Sequence, residues 1–183
     1  MIERVPARIS RQRLTVAAKC GPGVKGERMP YTMRGKTFDD FVIDEEIFSA
    51  SRTITESDVV HFACLSGDFH PQHMNKEFAR KEPAGERIAH GLLVLSMATG
   101  LLNQTGAFEG TSIAILEMTS RFIKAVKFGD TIRAIQRIVA KTETRKPSRG
   151  VLSTRITVLN QDDHTILEAD LTILMYRRGF VPG

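Results

Sequence analysis

From residue 111 onward apolar and polar side chains alternate, and that period of two predicts strands. Residues 111–125 give one long strand or two, Gly129-Asp130 a turn, and residues 131–142 another strand. Residues 146–150 form a loop. In 151–159, Leu152, Thr154, Ile156 and Val158 share one face, and in 165–175, Leu167, Ala169, Leu171, Ile173 and Met175 do; Asn160-Gln161-Asp162-Asp163 joins the two as a hairpin. The first half runs to a different rhythm. Residues 47–54 read as a strand. Thr55 then offers an N-cap with Asp58 three residues on, and Val59, Phe62 and Ala63 follow at helical spacing. Gly67 stops that helix, and Gly67 with Pro71 makes 66–74 a loop. Residues 75–82 allow one or two helical turns before Pro83. Residues 91–102 are apolar nearly all round, which predicts a helix buried on every side. A buried helix followed by hairpin-linked strands predicts an α+β fold, with an antiparallel sheet wrapped around one central helix.

Residues 1–35 show no sustained period and are punctuated by Gly21-Pro22-Gly23 and Pro30. They read as a basic tail ahead of a single domain over 36–183, whose first anchors are Phe38, Phe41 and Val42. Charge supports the division. The net charge is +5, yet residues 1–36 hold nine Lys/Arg against two acids, leaving the body slightly acidic. A body without basic excess argues against nucleic acid as a partner. The apolar run at 91–102 is too short for a membrane span, which needs about 20 residues. Cys20 and Cys64 suggest no disulfide framework, so a reducing, cytoplasmic setting is expected. The start lacks a secretory signal pattern; its arginines resemble a mitochondrial presequence, against which Glu3 counts, and Met29 and Met33 are alternative starts.

The chemistry concentrates in Leu65-Ser-Gly-Asp68-Phe-His70-Pro71-Gln-His73. An acid and an imidazole five residues apart on a loop held by Gly67 and Pro71 can converge on one small volume. Adding water across a conjugated double bond needs such a pair, one group taking a proton from water and another delivering one to the α-carbon. It also needs a donor for the thioester oxygen, which gains charge in the enolate-like transition state. Gly91, opening the apolar helix, offers a free N–H at the helix's positive end and room for close approach. Plainer roles exist for each residue. Asp68 suits a turn, His73 a surface position and Ser96 a bond to the carbonyl four residues back, while His90 suits a buttress for the loop. His61, His70, His73 and His90 fall within thirty residues, but no metal-ligand spacing is present, so no metal is expected.

Phe62-Ala63-x-x-Ser66-Gly67-Asp68-x-x-Pro71-x-His73, followed by Arg87-Ile88-Ala89-His90-Gly91-x-x-x-x-Ser96, resembles the MaoC-like (R)-specific enoyl-CoA hydratases, also called hydratase 2. The resemblance extends from about residue 36 to 178 and includes Thr53-Ile54-Thr55 and Phe128-Gly129-Asp130-Thr131. It implies a hot-dog fold, a homodimer or higher homo-oligomer, and an acyl-CoA or acyl-carrier thioester substrate, with no cofactor beyond the substrate's own CoA. Carried onto matching positions, it implies Asp68 and His73 as acid/base pair, Gly91 N–H as oxyanion donor, and Ser96, His70, Pro71 and His90 lining the substrate. Two positions depart from it: His70 stands where the family has Asn, and Gln72 where it has an aliphatic residue. Thioester hydrolysis and non-catalytic acyl binding are the rival readings.

A chain beginning at Met33 is expected to fold and work as the full chain does, since residues 1–36 carry charge without apolar period. A large fall in melting temperature on truncation would show instead that the tail packs on the domain.

Overall fold

The structure, a computed structural model, describes residues 34–180; the expected tail lies outside the described residues except for Arg34 and Gly35. Those two are tied to Glu109, through the Arg34 guanidinium at 2.7 Å and the Gly35 N–H at 3.1 Å. The elements follow in order: a 3-10 turn at Phe38–Asp40, β1 (Glu46–Phe48), β2 (Arg52–Thr53), α1 (Glu56–Ser66), α2 (Pro71–Met74), α3 (Lys76–Ala79), α4 (Gly91–Asn103), β3 (Ser112–Phe122), β4 (Thr131–Glu143), β5 (Arg149–Leu159) and β6 (Thr165–Tyr176).

The strands form one antiparallel sheet in the order β1-β4-β5-β6-β3, with β2 pairing the start of β4. The predicted inward faces of β5 and β6 are buried as read, and Ile132, Ala134 and Ile138 of β4 join them. They enclose Leu93, Val94, Leu95, Ala98, Leu101 and Leu102 of α4 in one core. A sheet wrapped around its central helix is the hot-dog fold.

Four expectations need correction. The strand over 47–54 is broken, because Ser49 leaves the ladder pattern and its hydroxyl accepts from Ala134 N–H at 2.8 Å. Residues 71–74 are a short helix rather than loop; Pro71 occupies its first turn, where a missing N–H costs nothing. Phe38 and Phe41 anchor the core as expected, but Val42 is exposed. Finally, α4 is not covered on every side. Leu92 is 60% exposed, and Ser96 and Asn103 follow on the same uncovered strip.

That strip has a counterpart at the sheet's edge. Among the described residues β3 bonds only β6, with irregular register near Ser112 and Ile115, and Ile115, Leu116 and Met118 stand exposed along it. No helix among the described residues is long and apolar enough to cross a membrane.

Candidate active site

The site begins where α1 ends. Thr55 caps α1 through the predicted box with Asp58, and Gly67 closes it in the left-handed region at φ 78°, its N–H bonded to Ala63 at 2.8 Å. A side chain at 67 would be strained there. The chain then advances through short local bonds. Ser66 Oγ accepts from Asp68 N–H at 3.2 Å, Asp68 Oδ1 from His70 N–H at 3.2 Å, and His70 Nδ1 from Gln72 N–H at 3.3 Å. His70 is thus the cap of α2, exposed to solvent, and Pro71 its first residue.

Two buried imidazoles pin this loop to the start of α4. His90 is 3% exposed and donates from Nε2 to the Asp68 carbonyl at 2.9 Å. His73 is 5% exposed and donates from Nδ1 to the Ile88 carbonyl at 2.7 Å. Because a carbonyl can only accept, both tautomers follow: His73 keeps its lone pair on Nε2, and His90 keeps its own on Nδ1. His90 Nδ1 is buried without a partner among the described residues. The two rings stack with centroids 3.8 Å apart and planes 30° apart. Burial pushes the His73 imidazole below its ordinary value of 6.5, with the His90 ring adding to the effect; the Ile88 bond and Asp68 oppose it. A neutral ring whose second nitrogen carries a lone pair can take up a proton there.

The expected convergence is present. One Asp68 carboxylate oxygen and one ring nitrogen each from His73 and His90 lie within 4.8 Å of one another. One water bonded at about 2.8 Å to each side spans such a gap. The trio offers ligand atoms of the right kind for a metal, but near-parallel stacked rings aim their in-plane lone pairs side by side rather than at one point.

Gly91 is the first residue of α4, and His90 its cap, so the helix's positive end directly adjoins the stacked pair. As first residue its N–H has no intrahelical acceptor. A cavity of about 410 Å³ opens beside it, walled by Ile88, Leu92, Val94, Phe122 and Ile166 among others. A second, of about 490 Å³, shares Ile88 and Ala125 with the first and reaches the loop at Gln72. Asp68 and His73 line neither cavity. Ser96 is exposed on α4 and donates to the Leu92 carbonyl at 2.8 Å, the backbone bond that its position allowed.

The MaoC like domain model matches residues 41–160. The chain belongs to the MaoC-like domain family. Protein MaoC of Klebsiella aerogenes is 40% identical over 115 residues, covering 63% of this chain but 33% of that protein. The chain therefore spans about a third of that relative's length. An (R)-specific enoyl-CoA hydratase of Rhodospirillum rubrum is 28% identical over 131 residues, 72% of this chain and 86% of the hydratase. Among solved structures, a monoamine oxidase regulatory protein from an Archaeoglobus species superposes with a TM-score of 0.71 at 34% identity, covering 78% of this chain and 95% of its own.

Three partners in this MaoC-like site were not assigned from sequence. The Ile88 carbonyl, which sets the His73 tautomer, lies in the second motif, but nothing in the residue type announces a backbone acceptor. Gln72 was visible only as a departure. Phe122, from the far end of β3, carried no signal at all. Its ring fills the space above Gly91, where an added Cβ would lie 2.7 Å from two ring carbons. The space beside the glycine is thus bounded by Phe122, a neighbour that adds a packing reason for Gly91 to the close approach expected of it.

Gly91→Val should therefore destabilise by about 1–3 kcal/mol, the usual cost of overpacking. Adding Phe122→Ala should recover most of that loss in a denaturant melt. A double variant no more stable than the single one would show that Phe122 is not what the valine meets.

Proposed function

We propose that this MaoC-like domain adds water to a trans-2-enoyl thioester, giving the (R)-3-hydroxyacyl thioester, and runs the reverse dehydration. The observation that carries the reading is His73, its Nδ1 committed to the Ile88 carbonyl and one of its ring nitrogens within 4.8 Å of an Asp68 carboxylate oxygen and of a His90 nitrogen. A water held between His73 and Asp68 attacks C3. His73 Nε2 takes one of its protons and passes it to C2 while the Asp68 carboxylate holds the water, so the two hydrogens of water end on the new hydroxyl and on C2 and His73 returns to its neutral form. Gly91 N–H, at the positive end of α4, donates to the thioester oxygen as charge develops there. The substrate supplies its own CoA or acyl-carrier handle, and no resident cofactor takes part. Ser96, His70 and Pro71 border the acyl path; His90 acts from behind, by fixing the loop and stacking on His73. The relation to the Rhodospirillum rubrum hydratase supports the same assignment.

The domain works as a homodimer in this reading. Among the described residues the outer edge of β3 is unpaired, with Ile115, Leu116 and Met118 exposed, and Leu92 of α4 is exposed as well. An uncovered edge of this kind invites pairing, and a second copy offers the same surface in return. Sedimentation at micromolar concentration is expected to give twice the mass of one chain; a monomer there would remove the dimer.

Crotonyl-CoA and longer enoyl-CoAs should lose their conjugated absorbance without releasing thiol. Asp68→Asn and His73→Gln should each cut turnover about 10²–10⁴-fold with the fold intact. Because burial lowers the His73 pKa, the ring is protonated only at a pH below 6.5. The acid limb of kcat/KM should accordingly fall below 6.5, with activity kept above it and lost as the pH drops through the His73 value. The same shift makes stability decline from about 6.5 downward, since the unfolded chain binds that proton more readily. Thiol release matching the loss of absorbance would establish a thioesterase instead. Inertness toward a broad panel would point to an acyl-binding subunit.

A further inference from the structure

The carboxamide of Gln72 lies 3.1 Å from His73 Nε2. That nitrogen is the one the hydration chemistry needs. Since His73 Nδ1 donates to Ile88, Nε2 carries the lone pair, and the amide must present its NH₂ to it. The backbone of Gln72 is held as firmly as its side chain. Its N–H is accepted by His70 Nδ1 at 3.3 Å, and its carbonyl accepts from Ile88 N–H at 3.4 Å. The other charged or titratable groups around the His73 ring are Asp68 on the loop, His70 at the cap of α2 and His90 stacked from α4.

We propose that Gln72 is a positioning residue that caps the lone pair of His73 Nε2 and must release it before a water can bind there. The inference rests on the reading of His73 as the group that takes the proton. An aliphatic residue, which the motif resemblance places here, cannot occupy that lone pair, so the cap is a property of this chain. On release the amide turns into the second cavity, whose wall carries Gln72 with Glu82 and Glu86, carboxylates able to accept its N–H. When His73 is protonated, a half-turn of the amide presents Oε1 to the new N–H. Gln72 can thus follow either state of the ring, but in the neutral state it competes with water for one orbital.

The test uses the full chain and reads the His73 ring directly, by nuclear magnetic resonance titration, beside kcat/KM for crotonyl-CoA. Q72L removes the competitor and should raise kcat/KM about three- to tenfold, the reach of one ordinary hydrogen bond. Q72N, one methylene shorter, should behave like Q72L. Q72E puts a carboxylate against Nε2 and should raise the His73 midpoint by about one unit or more. An unchanged His73 midpoint in Q72E, or a lower kcat/KM in both Q72L and Q72N, would overturn the cap. If Q72L fails to fold, Q72N and Q72E decide the matter. Should no enoyl thioester be hydrated while Q72E still moves the His73 midpoint, the hydratase reading fails and the contact stands. Hydration with an unmoved midpoint would instead keep the hydratase and remove the cap.

Discussion

Two hydrogen bonds from buried imidazoles to backbone carbonyls hold this site together. His90 to Asp68 and His73 to Ile88 cross-link the loop after α1 and the segment leading into α4. Each bond spends the ring's single proton on a carbonyl and so settles which nitrogen remains open. Each such hydrogen bond contributes about 0.5–1.5 kcal/mol net. Structure and reactivity are fixed by the same contacts.

The remaining motif segments support that arrangement from behind. Ile54 exchanges backbone bonds with the 129–130 turn, its N–H with the Asp130 carbonyl and its carbonyl with Gly129 N–H, both at 2.8 Å. The start of α1 is thereby fastened to the start of β4. Arg87 pairs with Glu56 at 2.6 Å while its guanidinium lies 4.7 Å over the Phe128 ring. One side chain therefore links the first turn of α1, the segment before α4 and the turn before β4. The pair of groups on the loop is positioned by a frame that spans about half the domain.

Much of this could be read in the chain. The strands β4, β5 and β6 declare themselves because each has one covered face, so alternation survives in the sequence. The capping box at Thr55 and the stop at Gly67 are local, and so is the five-residue spacing of Asp68 and His73. Legibility ended where the deciding partner was distant or was backbone. Phe122 meets Gly91 across thirty residues, and its apolar character is what any strand would show. The exposed strip of α4 was hidden because Leu92 looks like its buried neighbours; composition alone does not tell a core face from a face reserved for another surface. Pro71 misled for a simpler reason: it opposes the middle of a helix but suits the first turn.

The unpartnered Nδ1 of His90 has a consequence for how the site can come apart. The ring packs against Phe62, centroids 5.0 Å apart, and against His73, centroids 3.8 Å apart, with its Nδ1 buried. Any local opening that wets it must first separate the loop from the helix start, and that same movement frees the Ile88 carbonyl and unstacks His73. The loop, the two imidazoles and the first turn of α4 are thus one cooperative unit of local unfolding. An opening that releases one imidazole therefore disturbs the setting of the other.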